Sequence, residues 1–297
     1  MKKIIKSIKK NYECYLMLMP FLIIFLIFTV IPVCMAVPLG FTDFNGTEFP
    51  SFTGLSNFKN LFLSDRIFLK SVRNTLIISV FTGPVSYIIS FLLAWLINEL
   101  KYIWRSVFTL IFYIPSMANL YSVWKIIFSG DVYGYINSVF INTGIINSPV
   151  QWLTDSKYAI WVVTAVQMWI SSGTGFLAIS AGLRSIDRSQ YEAGAIEGIG
   201  NRWQELFYIT IPSMKPQMLF AAIMQIISAF TSDIVGRSLA GFPSTDYSVH
   251  TIMTHAYDYG WVRFEMGYAS AICTILFVIM YISKIIVSGI LGTDNQE

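Results

Sequence analysis

Six stretches of this chain are long, apolar and nearly free of charge, and that leaves few folds open. They run over about 14–40, 74–98, 106–128, 157–182, 216–235 and 266–291. Each supplies the roughly 20 residues that a helix needs to cross a bilayer. The apolar residues form continuous blocks and do not alternate, which predicts helices rather than barrel strands. Only 12% of the residues are charged, against about a quarter in a soluble domain. The expected fold class is an all-α polytopic membrane protein with six transmembrane helices.

The spans divide the chain into a basic tail (1–13), a first transmembrane helix with an external segment (14–73), a core of five transmembrane helices (74–291) interrupted by a polar loop (183–215), and a short tail (292–297). Lys2, Lys3, Lys6, Lys9 and Lys10 lie just before the first span. Positive charge stays inside, so both termini and the 183–215 loop are expected to be cytoplasmic. The first apolar run is too long for a signal-peptide core and lacks a convincing cleavage site. Pro20, Pro32 and Pro38 are expected to bend or end it, and Gly83-Pro84 to kink the second span. Short helices are expected near 57–62 and within the external loop 129–157. The net charge of +3 sits mostly in the N-terminal tail and suits anionic lipid, not nucleic acid.

Chemistry is sparse. Cys14, Cys34 and Cys273 are scattered within apolar runs and read as small core residues, not as a disulfide framework or a metal site. His250 and His255 fall in an external loop with no second ligand at metal spacing, and read as solvated or loop-packing side chains. No metal or other cofactor is expected. The chain has no Gly-Lys pair and so no phosphate-binding G-x-x-x-x-G-K-[ST] loop. No nucleophile motif is present either, so an enzyme is not expected. No ionisable residue lies at the middle of a span, whereas ion-coupled carriers usually place one there. Neutral polar groups occur instead: Asn119, Gln167, Gln225 and Ser228, with Trp169 nearby. They serve either as helix–helix hydrogen-bonding groups or as a path for a polar, uncharged solute such as a sugar.

The polar interval 187–216, DRSQYEAGAIEGIGNRWQELFYITIPSMKP, carries the most local information. Asp187 is a predicted helix N-cap with Gln190 three residues on, close to a capping box. Tyr191, Gly194 and Ala195 share a helical face, with Glu192 beside them. Gly198 and Gly200 end that helix. Asn201 caps a second helix, whose apolar stripe is Trp203, Leu206 and Phe207, with Arg202, Gln204 and Glu205 facing away. Pro212 ends it, and Pro216 suits the first turn of the next span. Two short helices on a glycine hinge, held at a membrane surface, are the expected product. An amphipathic connector lying in the interface is the bland alternative.

These residues resemble the binding-protein-dependent ABC transporter permeases, whose cytoplasmic loop has the form E-A-A-x3-G-x9-I-x-L-P. Glu192, Ala193, Gly194 and Gly198 match it, with Gly for the second Ala; Ile209, Ile211 and Pro212 match its tail, with Ile for Leu. Ten residues, where the pattern has nine, separate Gly198 from Ile209, which should rotate the second helix relative to the hinge. Tyr191-Glu192-Ala193 and Ile209-Thr210-Ile211-Pro212 look most like the carbohydrate-type subfamily. The resemblance implies the ABC importer permease fold, a multi-pass protein of the bacterial plasma membrane. It also implies a second, similar permease subunit, two ATPase subunits docking on the loop, and an extracellular solute-binding protein. A stand-alone secondary carrier and a membrane-embedded glycan-handling enzyme are the alternatives. The first lacks intramembrane charge, and the second lacks clustered acids.

Overall fold

The computed structural model describes residues 11–117 and 120–291. Its regular structure is helical, apart from one isolated antiparallel bridge between Thr42 and Phe52. The helices in chain order are α1 (Tyr12–Leu39), α2 (Ser56–Leu63), α3 (Arg66–Asn98), α4 (Tyr102–Met117), α5 (Tyr121–Ile127), α6 (Tyr135–Asn142) and α7 (Ser156–Ser185). There follow α8 (Arg188–Ile196), α9 (202–213), α10 (Lys215–Phe230), α11 (Ile234–Ala240), α12 (Ile252–Tyr257) and α13 (Met266–Leu291). Among the described residues, five segments have the length and hydropathy to cross a bilayer: α1, α3, α7, Lys215–Ala240 and the last helix. The third expected span is not one continuous helix. Among the described residues it is the shorter apolar α4 and then α5, with Leu120 in a turn before α5.

The chain divides into two compact units. One comprises the described residues up to Ser64 with Ala256–Thr274. Here α1 runs through Pro20 and Pro32 without ending, and it stops at Leu39, one residue after Pro38. The reason at Pro32 is a π turn over Leu26–Val30, closed by the Ile31 N–H donating to Leu26 O. It widens the helix where the proline ring would otherwise press on the carbonyl four residues back. None of the residues of α1 is buried, so Cys14 and Cys34 are exposed rather than core residues; Cys273 is half-buried. After α1 the chain crosses α13 at very short range. A Cβ on Gly267 would lie 2.2 Å from Thr42 O, and the Gly267 N–H donates to Phe44 O at 2.7 Å. Asn57 on α2 fixes this crossing by donating to Gly40 O and Thr42 O.

The other unit, the described part of Asp65–His255 and Ile275–Glu297, is built on α3, α7 and α10. These helices meet along hydroxyl and small side chains. Ser71, Thr75, Ser79, Thr82, Ser86 and Ser90 occupy one buried face of α3. Ser86 Oγ donates to Met168 O, Ser90 Oγ to Ser172 O, and Ser171 Oγ to Ser86 Oγ. Small residues let helix backbones approach inside a bilayer, where burial of apolar surface drives little association, and each interhelical hydrogen bond contributes about 0.6 kcal/mol on average. Apolar clusters close both ends of the seam. Ile78, Val163, Val166 and Leu239 lie at one end; Ala94, Phe176, Ile179 and Met218 lie at the end from which α8 and α9 emerge. The second expected span, α3, continues unbroken through Gly83-Pro84.

At the far end of this unit the loops are tied down by buried polar side chains. Fully buried Asn137 on α6 donates to Ser129 O, Asp131 O and Val150 O, and its Oδ1 accepts from Val150 N and Trp152 Nε1. Asn74 on α3 donates to Tyr247 O and His250 O, beneath a turn in which Asp246 and Tyr247 both have positive φ. His250 and His255 are not solvated; both are buried. His255 Nε2 lies 2.9 Å from Asp65 Oδ2, and His250 Nε2 lies 3.0 Å from His255 Nδ1. A carboxylate only accepts, so His255 donates from Nε2. Among the described residues no group of His, Cys, Asp and Glu side chains is arranged to hold a metal ion.

Candidate functional site

The segment between α7 and α10 folds as a braced pair of short helices. Asp187 takes extended backbone and its Oδ1 accepts from the Ser189 N–H at 3.0 Å, capping α8. That backbone donor, aided by the Ser189 side chain, holds the Asp187 carboxyl below the usual carboxylate range. The capping box is not completed: Gln190 reaches across to accept from Ser213 Oγ at 2.7 Å. Gly198 stops α8 with φ +96°, and a Cβ there would meet nothing within 4 Å. Asn201 caps α9 through the Trp203 N–H. Gln204 accepts from Gly200 N. The helix is α over Arg202–Glu205, π over Leu206–Thr210, and α again over Ile211–Ser213. The π turn again stands just before a proline, Pro212, as it does in α1. It closes one residue later than an α turn, so it can house the extra residue in the Gly198–Ile209 interval within the helix.

Internal bonds join the two helices. Tyr191 Oη and Thr210 Oγ1 are 2.9 Å apart, and Thr210 Oγ1 also donates to Glu205 O. Ile209 packs directly on Gly194, where a Cβ would lie 2.6 Å from Ile209 Cδ1. That close approach accounts for glycine where the motif has alanine. Of the motif residues, Gly194 and Ile209 are buried inward, Tyr191 is half-buried, and Ile211 packs with the apolar cluster of Phe176 and Met218. Glu192, Ala193, Gly198 and Pro212 are exposed. Among the described residues Glu192 pairs only with exposed Arg188, at 3.4 Å. Beside them lies an open groove of about 560 Å³ bordered by Ala193, Gly194, Glu197, Tyr208 and Ile209.

Two features were not legible in the sequence. Ile196, at the tip of α8, is 89% exposed. Arg202 does not face away: its guanidinium lies 2.8 Å from Glu99 at the end of α3 and 2.8 Å from Glu205. The hydrogen bond to Glu205, then the charge of Glu99, push its pKa up. Phe207 is exposed, while the Trp203 ring lies 5.3 Å from that of Trp95. A lone exposed isoleucine and an ion pair spanning a hundred residues leave no periodic trace.

The neutral polar residues are dispersed. Asn119 lies outside the described residues. Gln167 and Gln225 are buried; Gln167 Nε2 donates to Ser228 O, and Gln225 Nε2 donates to Ser90 Oγ. Trp169 is partly exposed, with its ring edge-on to Trp124 at 5.1 Å. Gln225 borders a largely apolar cavity of about 390 Å³ with Pro84, Tyr87, Phe230 and Ser283, and Gln167, Trp169 and Ser228 do not line it.

Residues 86–292 match a family model described as binding-protein-dependent transport system inner membrane component. The chain is 31% identical over 290 residues to the probable ABC transporter permease protein YesP of Bacillus subtilis, covering 94% of this chain and 90% of that one. It is 30% identical over 226 residues to the lactose transport system permease protein LacF of Rhizobium radiobacter, covering 74% of each. The arabinooligosaccharides transport system permease protein AraP of B. subtilis is 26% identical, covering 97% and 91%. Among solved structures, a bacterial alginate ABC transporter, crystallised with its periplasmic protein bound to an alginate pentasaccharide, contains a chain of the same fold. That match has a TM-score of 0.76 at 22% identity and covers 98% of both chains.

Proposed function

Because the chain belongs to the binding-protein-dependent transport system inner membrane components, we propose that its α8–α9 loop is the surface on which a separate ATPase docks. The chain is a multi-pass inner-membrane permease subunit of an ABC transporter, and not itself an enzyme. In the proposed assembly it pairs with a second, similar permease, two ATPase subunits sit beneath the pair, and a solute-binding protein delivers cargo from outside. The loop and both termini are then cytoplasmic, a reading supported by the lysines that precede the first span. The cargo class is carbohydrate, by analogy with the lactose and arabinooligosaccharide permeases.

The observation that carries this reading is the division of labour within the loop. Its inward residues Tyr191 and Thr210 lock α8 to α9, and an exposed bond from Ser213 to Gln190 adds to the lock. Its outward residues, Glu192, Ala193, Ile196 and Gly198, bond to nothing that would require their exposure. A carboxylate beside small side chains suits close approach by a partner that offers a base or a helix N-terminus. ATP-driven closure of the ATPases would move this rigid pair and rock the spans.

Gly198→Asp tests it. Within the chain the new side chain meets open space, so its internal cost is limited to the left-handed backbone, roughly 1–2 kcal/mol. We expect the variant to insert normally but to lose the co-purifying ATPase. Retention of the ATPase at the wild-type level would overturn the docking assignment. The cargo class is checked by uptake of lactose and of arabinotriose in a deletion strain, with a complemented strain as reference. Uptake of neither sugar depending on the protein would count against the carbohydrate reading.

A further inference from the structure

We propose that Arg202 is a positioning residue that clasps the docking loop to the end of α3, so that displacement of the loop is delivered to the spans through that helix. The inference rests on the docking reading above and adds the route by which force leaves the loop.

The geometry has three parts. First, one guanidinium bridges two carboxylates from different elements, Glu99 after α3 and Glu205 on α9, each at 2.8 Å. Arginine presents donors in a planar fork, so it can hold both at once. Second, the Trp95 and Trp203 rings lie 5.3 Å apart at 49°, giving the polar bridge an apolar neighbour on the same two elements. Third, the end of α3 is itself a fixed point. Arg105 on α4 donates from Nη2 to Asn98 O at 2.7 Å and to Leu100 O at 3.1 Å, capping its last carbonyls. Thus α9 is tied to α3 and, through Thr210 and Tyr191, to α8.

A single exposed ion pair contributes little to stability, and the Arg202 side chain is 63% exposed. The clasp is therefore not needed for folding. Its effect is on orientation: Glu205, on the same helix, holds the guanidinium in place, and α9 cannot swing against α3 without breaking the Arg202–Glu99 pair and parting two indoles. Charge steers this contact and packing completes it, so loss of either charged partner should leave the loop in place but loosely aimed.

The test measures aim directly. Spin labels are placed at Leu96→Cys and Phe207→Cys, both exposed positions on the two elements, after replacing Cys14, Cys34 and Cys273 with alanine. The distance is read in the purified permease–ATPase complex, without nucleotide and with ATP plus vanadate. The clasp predicts one narrow distance, unchanged by nucleotide. Arg202→Met and Glu99→Gln should each broaden it and make it respond to nucleotide, with the ATPase still bound. Arg202→Lys should give an intermediate width, because a point charge satisfies one carboxylate at a time. The swap Glu99→Arg with Arg202→Glu should restore a narrow distance, since the guanidinium then faces both carboxylates from the α3 side. The proposal is overturned by a wild-type distance that shifts with nucleotide, by single variants as narrow as wild type, or by failure of the swap to narrow a broadened distance. If Gly198→Asp keeps its ATPase, the docking reading falls alone, and the nucleotide-free width of Arg202→Met still decides the clasp.

Discussion

Asn137 shows how a single residue can organise an irregular segment. It sits at zero exposure and satisfies three carbonyls, one amide and one indole across residues 129–152. Asn137→Ala leaves the Val150 N–H and Trp152 Nε1 buried without that acceptor. The expected cost is about 3 kcal/mol, from penalties of about 1–3 kcal/mol for each buried polar group left unsatisfied. Hydrogen exchange at the Val150 amide should then accelerate by roughly a hundredfold, while amides in the middle of α7 are unaffected. The sequence could not mark this residue, because one asparagine among several in a Gly- and Asn-rich loop has no distinguishing pattern. The same holds for His250 and His255. Their spacing left solvated and loop-packing roles open, and the partner that decides for packing, Asp65, lies 190 positions away from His255. Gly198 was legible, since a glycine after a capped amphipathic segment has few other uses, and its φ of +96° agrees.

At the scale of elements, local rules worked where the cause is local. The caps at Asp187 and Asn201, the short helices α2 and α6, and the long apolar helices all follow from residues within a few positions. Pro32 misled for a physical reason: a π turn before it absorbs the clash that would otherwise end the helix, whereas α9 does stop one residue after Pro212. The α8 cap gives a pH prediction. Its carboxyl is held below the ordinary range by the Ser189 N–H. A depressed carboxyl stabilises the fold above its unfolded pKa, and that contribution fades as pH falls through the lower, folded value. Asp187→Asn, which keeps an acceptor without a charge, should preserve exchange protection in the first turn of α8 and remove its dependence on acid. Asp187→Ala should fray that turn at every pH. Equal acid sensitivity in wild type and Asp187→Asn would mean that another group controls it.

For the whole molecule, the apolar blocks made a helical membrane protein legible at once, because bilayer thickness and backbone hydrogen bonding leave so few options. What was not legible is how the helices meet. The hydroxyl face of α3, Ser71 through Ser90, recurs at helical spacing, but its partners on α7 and α10 follow only from the tertiary structure. The account's central claim is that the rigid α8–α9 pair presents its outward face to an ATPase. The most direct measurement places a photo-reactive amino acid at Ile196, the most exposed apolar side chain of that face, and at the exposed Tyr133, outside the α8–α9 loop, as the control. Irradiation in intact cells should join position 196 to the ATPase polypeptide and leave position 133 without that adduct. No ATPase adduct from position 196, or an equal adduct from both positions, would contradict the account.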